Sequence, residues 1–156
     1  MAVVAMDDHQ RVLLIRQYRH PAGQYLWELP AGLRDEPGEQ PLDTARRELA
    51  EETGLRAAAW ATLVDLRPSP GFSTEVCRVY QAGQLSEAGR PAQQEGEEQD
   101  LSSRWVSLPE ALHDVLDGRI TNGLAVAGLL ATAVRFGMAD RHTRPASAPW
   151  PAPARD

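Results

Sequence analysis

The stretch from Pro41 to Leu55 constrains this chain most, because it reads as a short helix with one acidic face. Pro41 suits the first helical position, where its missing N–H leaves no bond unmade. Leu42, Ala45 and Leu49 fall at i, i+3 and i+7 and so share one apolar face. Gly54 follows as a C-terminal cap, since glycine leaves a helix without steric strain. Glu48 and Glu52 are four apart and stack one above the other, with Glu51 beside them. Carboxylates this close repel by about 0.2–0.5 kcal/mol per pair on an exposed helix. A hard divalent cation turns that repulsion into binding, and Mg²⁺ favours carboxylate, water and phosphate oxygens. Taken alone, the glutamates also fit an ordinary solvated helix face.

The rest of the chain supplies the frame. Val3 to Ala5 and Val12 to Ile15 are apolar runs around Asp7-Asp8-His9-Gln10, which predicts a β-hairpin. Leu26 to Leu29, Ala59 to Leu66, Val76 to Ala82 and Arg104 to Val106 read as strands. Pro109 to Leu116 and Gly123 to Phe136 read as helices, the second carrying Leu124, Gly128 and Ala131 on one stripe. Gly32 to Glu39 is a loop rich in glycine, proline and acid. Arg67 to Ser73 is a stiff loop, and Gln84 to Asp100 is polar, with Glu95, Glu97, Glu98 and Asp100 clustered. One domain is expected over residues 1–139. Residues 140–156 are expected to be a disordered Pro/Ala-rich tail, since they offer little apolar surface to bury.

Composition narrows the classes of function. All 16 basic residues are arginine, which excludes chemistry that needs a Schiff-base or P-loop lysine. The formal net charge of −6 argues against a nucleic-acid partner, whose phosphates favour a basic surface. A single cysteine, Cys77, cannot close an internal disulfide, so a cytoplasmic protein is expected, with Cys77 a buried small hydrophobe. No run approaches the roughly 20 apolar residues of a membrane span, and Met1 to Asp8 lacks the features of a signal peptide. No membrane partner is expected. His20 and His113 show no metal-ligand spacing; His9 falls in a turn and His142 in the tail.

Gly32, Glu39, Arg47-Glu48-Leu49, Glu51-Glu52, Gly54 and Leu55 together resemble the box that defines the Nudix family. Seven residues separate Glu39 from Arg47, as in the family pattern. Six separate Gly32 from Glu39, one more than the pattern, which leaves the role of Glu39 open. The resemblance implies an α/β fold, the Nudix fold, with a mixed β-sheet sandwiched between helices (α/β/α). It implies that Glu48 and Glu52 are the principal metal ligands and that Glu51 is a further ligand, directly or through water. The backbone carbonyl of Ala31 would complete the site, and Arg47 would orient the glutamates by charge-assisted hydrogen bonds. The metal implied is Mg²⁺, with Mn²⁺ as a substitute.

Segments outside the box resemble the ADP-ribose pyrophosphatase branch. They are Arg16 to Pro21, Trp27 to Gly32, Ser69 to Glu75, Glu98 to Leu101 running into Arg104-Trp105-Val106, and Gly118 to Asn122. This implies a nucleoside diphosphate sugar as substrate, ADP-ribose first among them, and a homodimer. Arg19, Gly71 and Glu75 are the candidates for substrate contact, and Glu97 and Glu98 for the general base. Two other readings stay open: a non-catalytic module that binds ADP-ribose, and a housecleaning hydrolase of oxidised nucleoside triphosphates. An intact acidic helix favours catalysis over the first.

Overall fold

Every residue of the first strand, β1 (Ala2–Ala5), is buried. A strand covered on both faces reads as a continuous apolar run rather than an alternating one, and Ala-Val-Val-Ala is such a run. The computed structural model describes residues 1–89, 102–137 and 143–151. Within them, strands β2 (Arg11–Arg19) and β3 (Gln24–Glu28) precede helix α1 (Pro41–Thr53). Strands β4 (Leu55–Leu66), β5 (Cys77–Glu87) and β6 (Ser102–Ser107) follow, then helices α2 (Leu108–Leu116) and α3 (Gly123–Gly137) and a short strand β7 (Arg144–Pro145).

The strands form two sheets. One is mixed, in the order β1-β5-β4-β7, with β1 parallel to β5. The other is antiparallel, in the order β3-β2-β6. The predicted hairpin between β1 and β2 is therefore wrong. A turn does form, as the Asp7 N–H donates to the Arg11 carbonyl, but only an isolated bridge, Met6 to Val12, joins the two runs. The two runs diverge into different sheets because β1 is buried on both faces and pairs with the largely buried run 79–82 of β5.

Alternation along β1 and β2 divides the core in two. Val3, Ala5 and Leu13 face α1, where Ala45 and Leu49 meet Tyr80 and Ala82. Ala2, Val4, Val12 and Leu14 face α2 and α3, with Leu29, Ala111, Ile120 and Leu129. Helices thus cover both sides of the strands, the layering expected. The buried stripe of α3 is Ala125, Gly128, Leu129 and Thr132, shifted from the one predicted by its apolar spacing. The shift follows from close packing: a Cβ on Gly128 would stand 2.7 Å from Leu29 Cδ1 and 3.1 Å from Val4 Cγ2.

Residues 143–151 depart from the tail that their composition suggests. They run back against β4, where Thr62 Oγ1 donates to the Pro145 carbonyl at 2.9 Å. Their anchor is Arg78, whose side chain is 1% exposed. Its guanidinium donates to Asp65 Oδ1 at 2.6 Å and to the carbonyls of Ala148 and Pro149, each at 2.6 Å. Arg144 also donates to Asp65, at 2.6 Å. A buried guanidinium needs its donors met, and carbonyls of a Pro/Ala segment meet them.

Burial pushes the Asp65 carboxyl up, but the hydrogen bonds from Arg78 and Arg144 outweigh it and hold the group below its ordinary value of 3.8. A lowered folded pKa contributes stability that is present above the unfolded value and lost as pH falls through the folded one. Asp65→Asn leaves Arg78 buried without a countercharge and is expected to cost about 3 kcal/mol at neutral pH. Urea unfolding at several pH values checks this: the gap between the two chains should begin to narrow below about pH 4, where the unfolded aspartate protonates, and close as pH falls through the lower folded value.

Candidate metal centre

The acidic helix α1 is held by one arginine. Arg47 Nη1 donates to Glu48 Oε1 at 2.7 Å and to Glu51 Oε2 at 3.1 Å. Its Nε donates to Glu39 Oε1 at 3.1 Å. Its Nη2 reaches Glu39 Oε2 at 3.2 Å, the Leu33 carbonyl at 3.2 Å and Asp35 Oδ1 at 3.3 Å. Only a planar fork with five donors can serve so many acceptors at once. The hydrogen bond to Glu39 and the charges around it hold the Arg47 proton far more tightly than usual. Arg47 thus joins the helix to the loop before it.

The extra residue in that loop does not dislodge Glu39. Gly38 adopts a left-handed φ of +80° and the Glu39 N–H closes a turn onto the Glu36 carbonyl. Glu39 then accepts from Arg47 and, at 2.7 Å, from Thr44 Oγ1. These hydrogen bonds keep its carboxyl below the usual range. Glu39 therefore orients Arg47. Thr44 and Asp35 were not singled out in the sequence, where a threonine in a first helical turn and an aspartate in an acidic loop carry no signal of their own.

Glu48 and Glu52 converge on the same two residues. Glu52, 7% exposed, accepts from the Ala31 N–H at 2.9 Å. The Glu48 carboxylate lies directly on Gly32, so that a Cβ there would fall 2.0 Å from its carboxyl carbon. The glycine is needed for that approach, not for its φ. Burial pushes the Glu48 carboxyl up, against the pull of Arg47. Glu51 is the more exposed of the three. Among the described residues no three His, Cys, Asp or Glu side chains already enclose one point, for these carboxylates are turned to Arg47 and to the Ala31 amide. The donor chemistry nonetheless fits a hard divalent cation, because two poorly solvated carboxylates meet beside a backbone segment that offers further oxygens.

Arg19 forms a two-pronged ion pair with the buried Glu28, at 3.1 and 2.8 Å, on the strand that leads into Ala31. Gly71 lies in the turn closed by Phe72 and Ser73 N–H groups on the Ser69 carbonyl, with nothing within 4 Å of where a Cβ would stand. Glu75 lines a cleft of about 250 Å³ with Leu33, Arg34 and Trp150. Glu75 also accepts a hydrogen bond from Cys77, at 3.4 Å. Burial, with that hydrogen bond, pushes the Cys77 thiol up to about 11, so it stays protonated and is no nucleophile at neutral pH. Glu97 and Glu98 lie outside the described residues.

With this geometry in place, comparison with known proteins is direct. Residues 1–124 match the family described as NUDIX domain, so the chain belongs to the Nudix hydrolase family. It is 50% identical over 151 residues to an ADP-ribose pyrophosphatase of Mycobacterium tuberculosis, spanning 96% of this chain and 72% of that relative. It is 40% identical over 86 residues to an ADP-ribose pyrophosphatase of Bacillus subtilis, spanning 55% of this chain and 46% of that one. An ADP-sugar pyrophosphatase of Mus musculus is 32% identical over 132 residues, 76% of this chain and 60% of the relative. Among solved structures, an ADP compounds hydrolase superposes with a TM-score of 0.74 at 24% identity, covering 87% of this chain and 71% of that one. That likeness establishes the fold.

Gly32→Ala should weaken divalent-cation binding about 10- to 100-fold, the usual cost of disturbing the surroundings of a metal ligand. Calorimetric titration of Mn²⁺ into the two chains measures it, and unchanged affinity would show that Glu48 is not a ligand.

Proposed function

We propose that this chain is a Mg²⁺-dependent diphosphatase of nucleoside diphosphate sugars, cleaving ADP-ribose with water to AMP and ribose 5-phosphate. One observation carries the reading: Glu48, held by Arg47, and Glu52 meet at Ala31 and Gly32. The family fixes the class of hydrolase, and the activities for which the relatives are named support the substrate.

When bound, a divalent cation supplies charge stabilisation for the diphosphate and activates water. The chain's own residues do the rest. Glu48, Glu52 and the Ala31 carbonyl would hold the cation, with Glu51 at the exposed rim. Arg47 fixes the rotamers of Glu48 and Glu51, which keeps the carboxylates in place before substrate arrives. Arg19, ion-paired to Glu28 on β3, Glu75 in the loop before β5 and Gly71 in the turn ahead of it are the residues assigned to substrate contact. Glu97 or Glu98 is assigned the general base. Mn²⁺ is expected to replace Mg²⁺, since it accepts the same oxygen donors.

A cytoplasmic homodimer completes the reading. A lone cysteine, which can close no internal disulfide, suits a reducing compartment. The intact set of Glu48, Glu51, Glu52 and Arg47 counts against a module that binds ADP-ribose without turning it over.

A panel of ADP-ribose, other sugar nucleotides and nucleoside triphosphates, assayed with Mg²⁺, tests the proposal. ADP-ribose should give the highest kcat/KM, and Glu52→Gln should lose most activity while keeping its melting temperature. Preferential turnover of triphosphates would replace the substrate assignment. Tight binding of ADP-ribose with no turnover of any diphosphate would refute the enzyme itself.

A further inference from the structure

The strap formed by residues 143–151 does more than cover a sheet edge. One of its side chains, Trp150, is half-buried and stands between two arginines. The Arg78 guanidinium lies 5.2 Å from the centre of the indole ring, and that of Arg34 lies 5.9 Å from it. Arg78 belongs to the buried ion pair with Asp65 and is fixed. Arg34 belongs to the exposed loop that precedes the acidic helix. The indole therefore ties a rigid point in the core to a point in that loop.

The position of Arg34 gives this tie its meaning. Its two chain neighbours, Leu33 and Asp35, both accept from Arg47 Nη2, at 3.2 and 3.3 Å. The residue before them, Gly32, carries the Glu48 carboxylate against its backbone. A shift of the loop at Arg34 would move both acceptors away from Arg47, and Arg47 in turn holds Glu48 and Glu51. Asp35 is 69% exposed and Leu33 is 74% exposed. The loop is tied to Met1 through the backbone of Gly32, and the indole adds a lateral contact further on, at Arg34.

The strap is well placed to give that support. The Ala148 and Pro149 carbonyls, immediately before Trp150, take the two terminal nitrogens of Arg78. Ala148 is 8% exposed, and Ala146 packs into the cluster on the α1 side of the core.

We propose that Trp150 is a positioning residue for the metal centre: through Arg34 it holds the loop whose acceptors set Arg47, and with it the ligands Glu48 and Glu51. The inference rests on the metal-binding reading given above. A cation–π contact at a partly exposed site is worth about 2- to 5-fold in an equilibrium constant, which sets the scale of the effect.

The test is Mn²⁺ binding to the full chain by calorimetry, with the melting temperature recorded for each variant. Trp150→Ala should weaken Mn²⁺ binding about 3- to 5-fold, and Trp150→Phe, which keeps an aromatic face, should restore most of it. Arg34→Ala should give the same loss, and the double variant no more than either single one, because the two side chains act through one contact. Arg34 is exposed, so its variant carries the test if Trp150→Ala does not fold. Unchanged Mn²⁺ affinity in Arg34→Ala and in a folded Trp150 variant overturns the inference, even where the melting temperature falls. Additive losses in the double variant also overturn it. Failure of the unaltered chain to bind Mn²⁺ overturns the metal reading and this inference together.

Discussion

The Arg47 guanidinium is the contact on which the rest of the site depends. Six hydrogen bonds leave this one side chain, to Glu39, Glu48, Glu51, Asp35 and the Leu33 carbonyl. Without it, Glu48, Glu51 and Glu39 would present their charges to one another with no cation among them. With it, the repulsion becomes a stored capacity: the carboxylates are held near one another, poorly hydrated, beside a backbone stripped of a Cβ at Gly32. The fold's task is to bring Ala31 and Gly32, at the end of β3, against the outer face of α1. It does so by burying β1 between the two core clusters and linking Val3 N–H to the Pro30 carbonyl.

The acidic helix was legible in the sequence because three independent rules agree there. Proline at the start, an apolar stripe and a capping glycine give the same helix, and the structure bounds it at Pro41 and Thr53 with Gly54 left-handed. Strand existence was legible too, but not extent: β4 begins at Leu55 rather than Ala59, and β5 runs on to Glu87. Those extra residues alternate weakly in polarity, and their order comes from pairing with each other across the sheet.

What was not legible depends on contacts distant in sequence. The hairpin predicted for β1 and β2 was plausible locally, and the partner that won was β5, more than 70 residues away. The strap was hidden by its composition. Alanine and proline side chains bury little, and the order of residues 143–151 comes instead from carbonyls that meet the needs of the buried Arg78. The one hint in the sequence is Arg78 itself, a charge inside Val-Cys-Arg-Val-Tyr. The role of Glu39, open on spacing alone, was decided by Gly38, whose left-handed turn absorbs the added residue.

The central claim is that Glu48 and Glu52 hold a divalent cation beside Ala31. Anomalous diffraction from crystals of the chain grown with Mn²⁺ tests it most directly. The expected result is a manganese peak bonded to both carboxylates and to the Ala31 carbonyl, at the roughly 2.0–2.2 Å typical of such hard-oxygen ligands. A fully occupied peak elsewhere, with Glu48 still bound to Arg47 and Glu52 to the Ala31 amide, would contradict it.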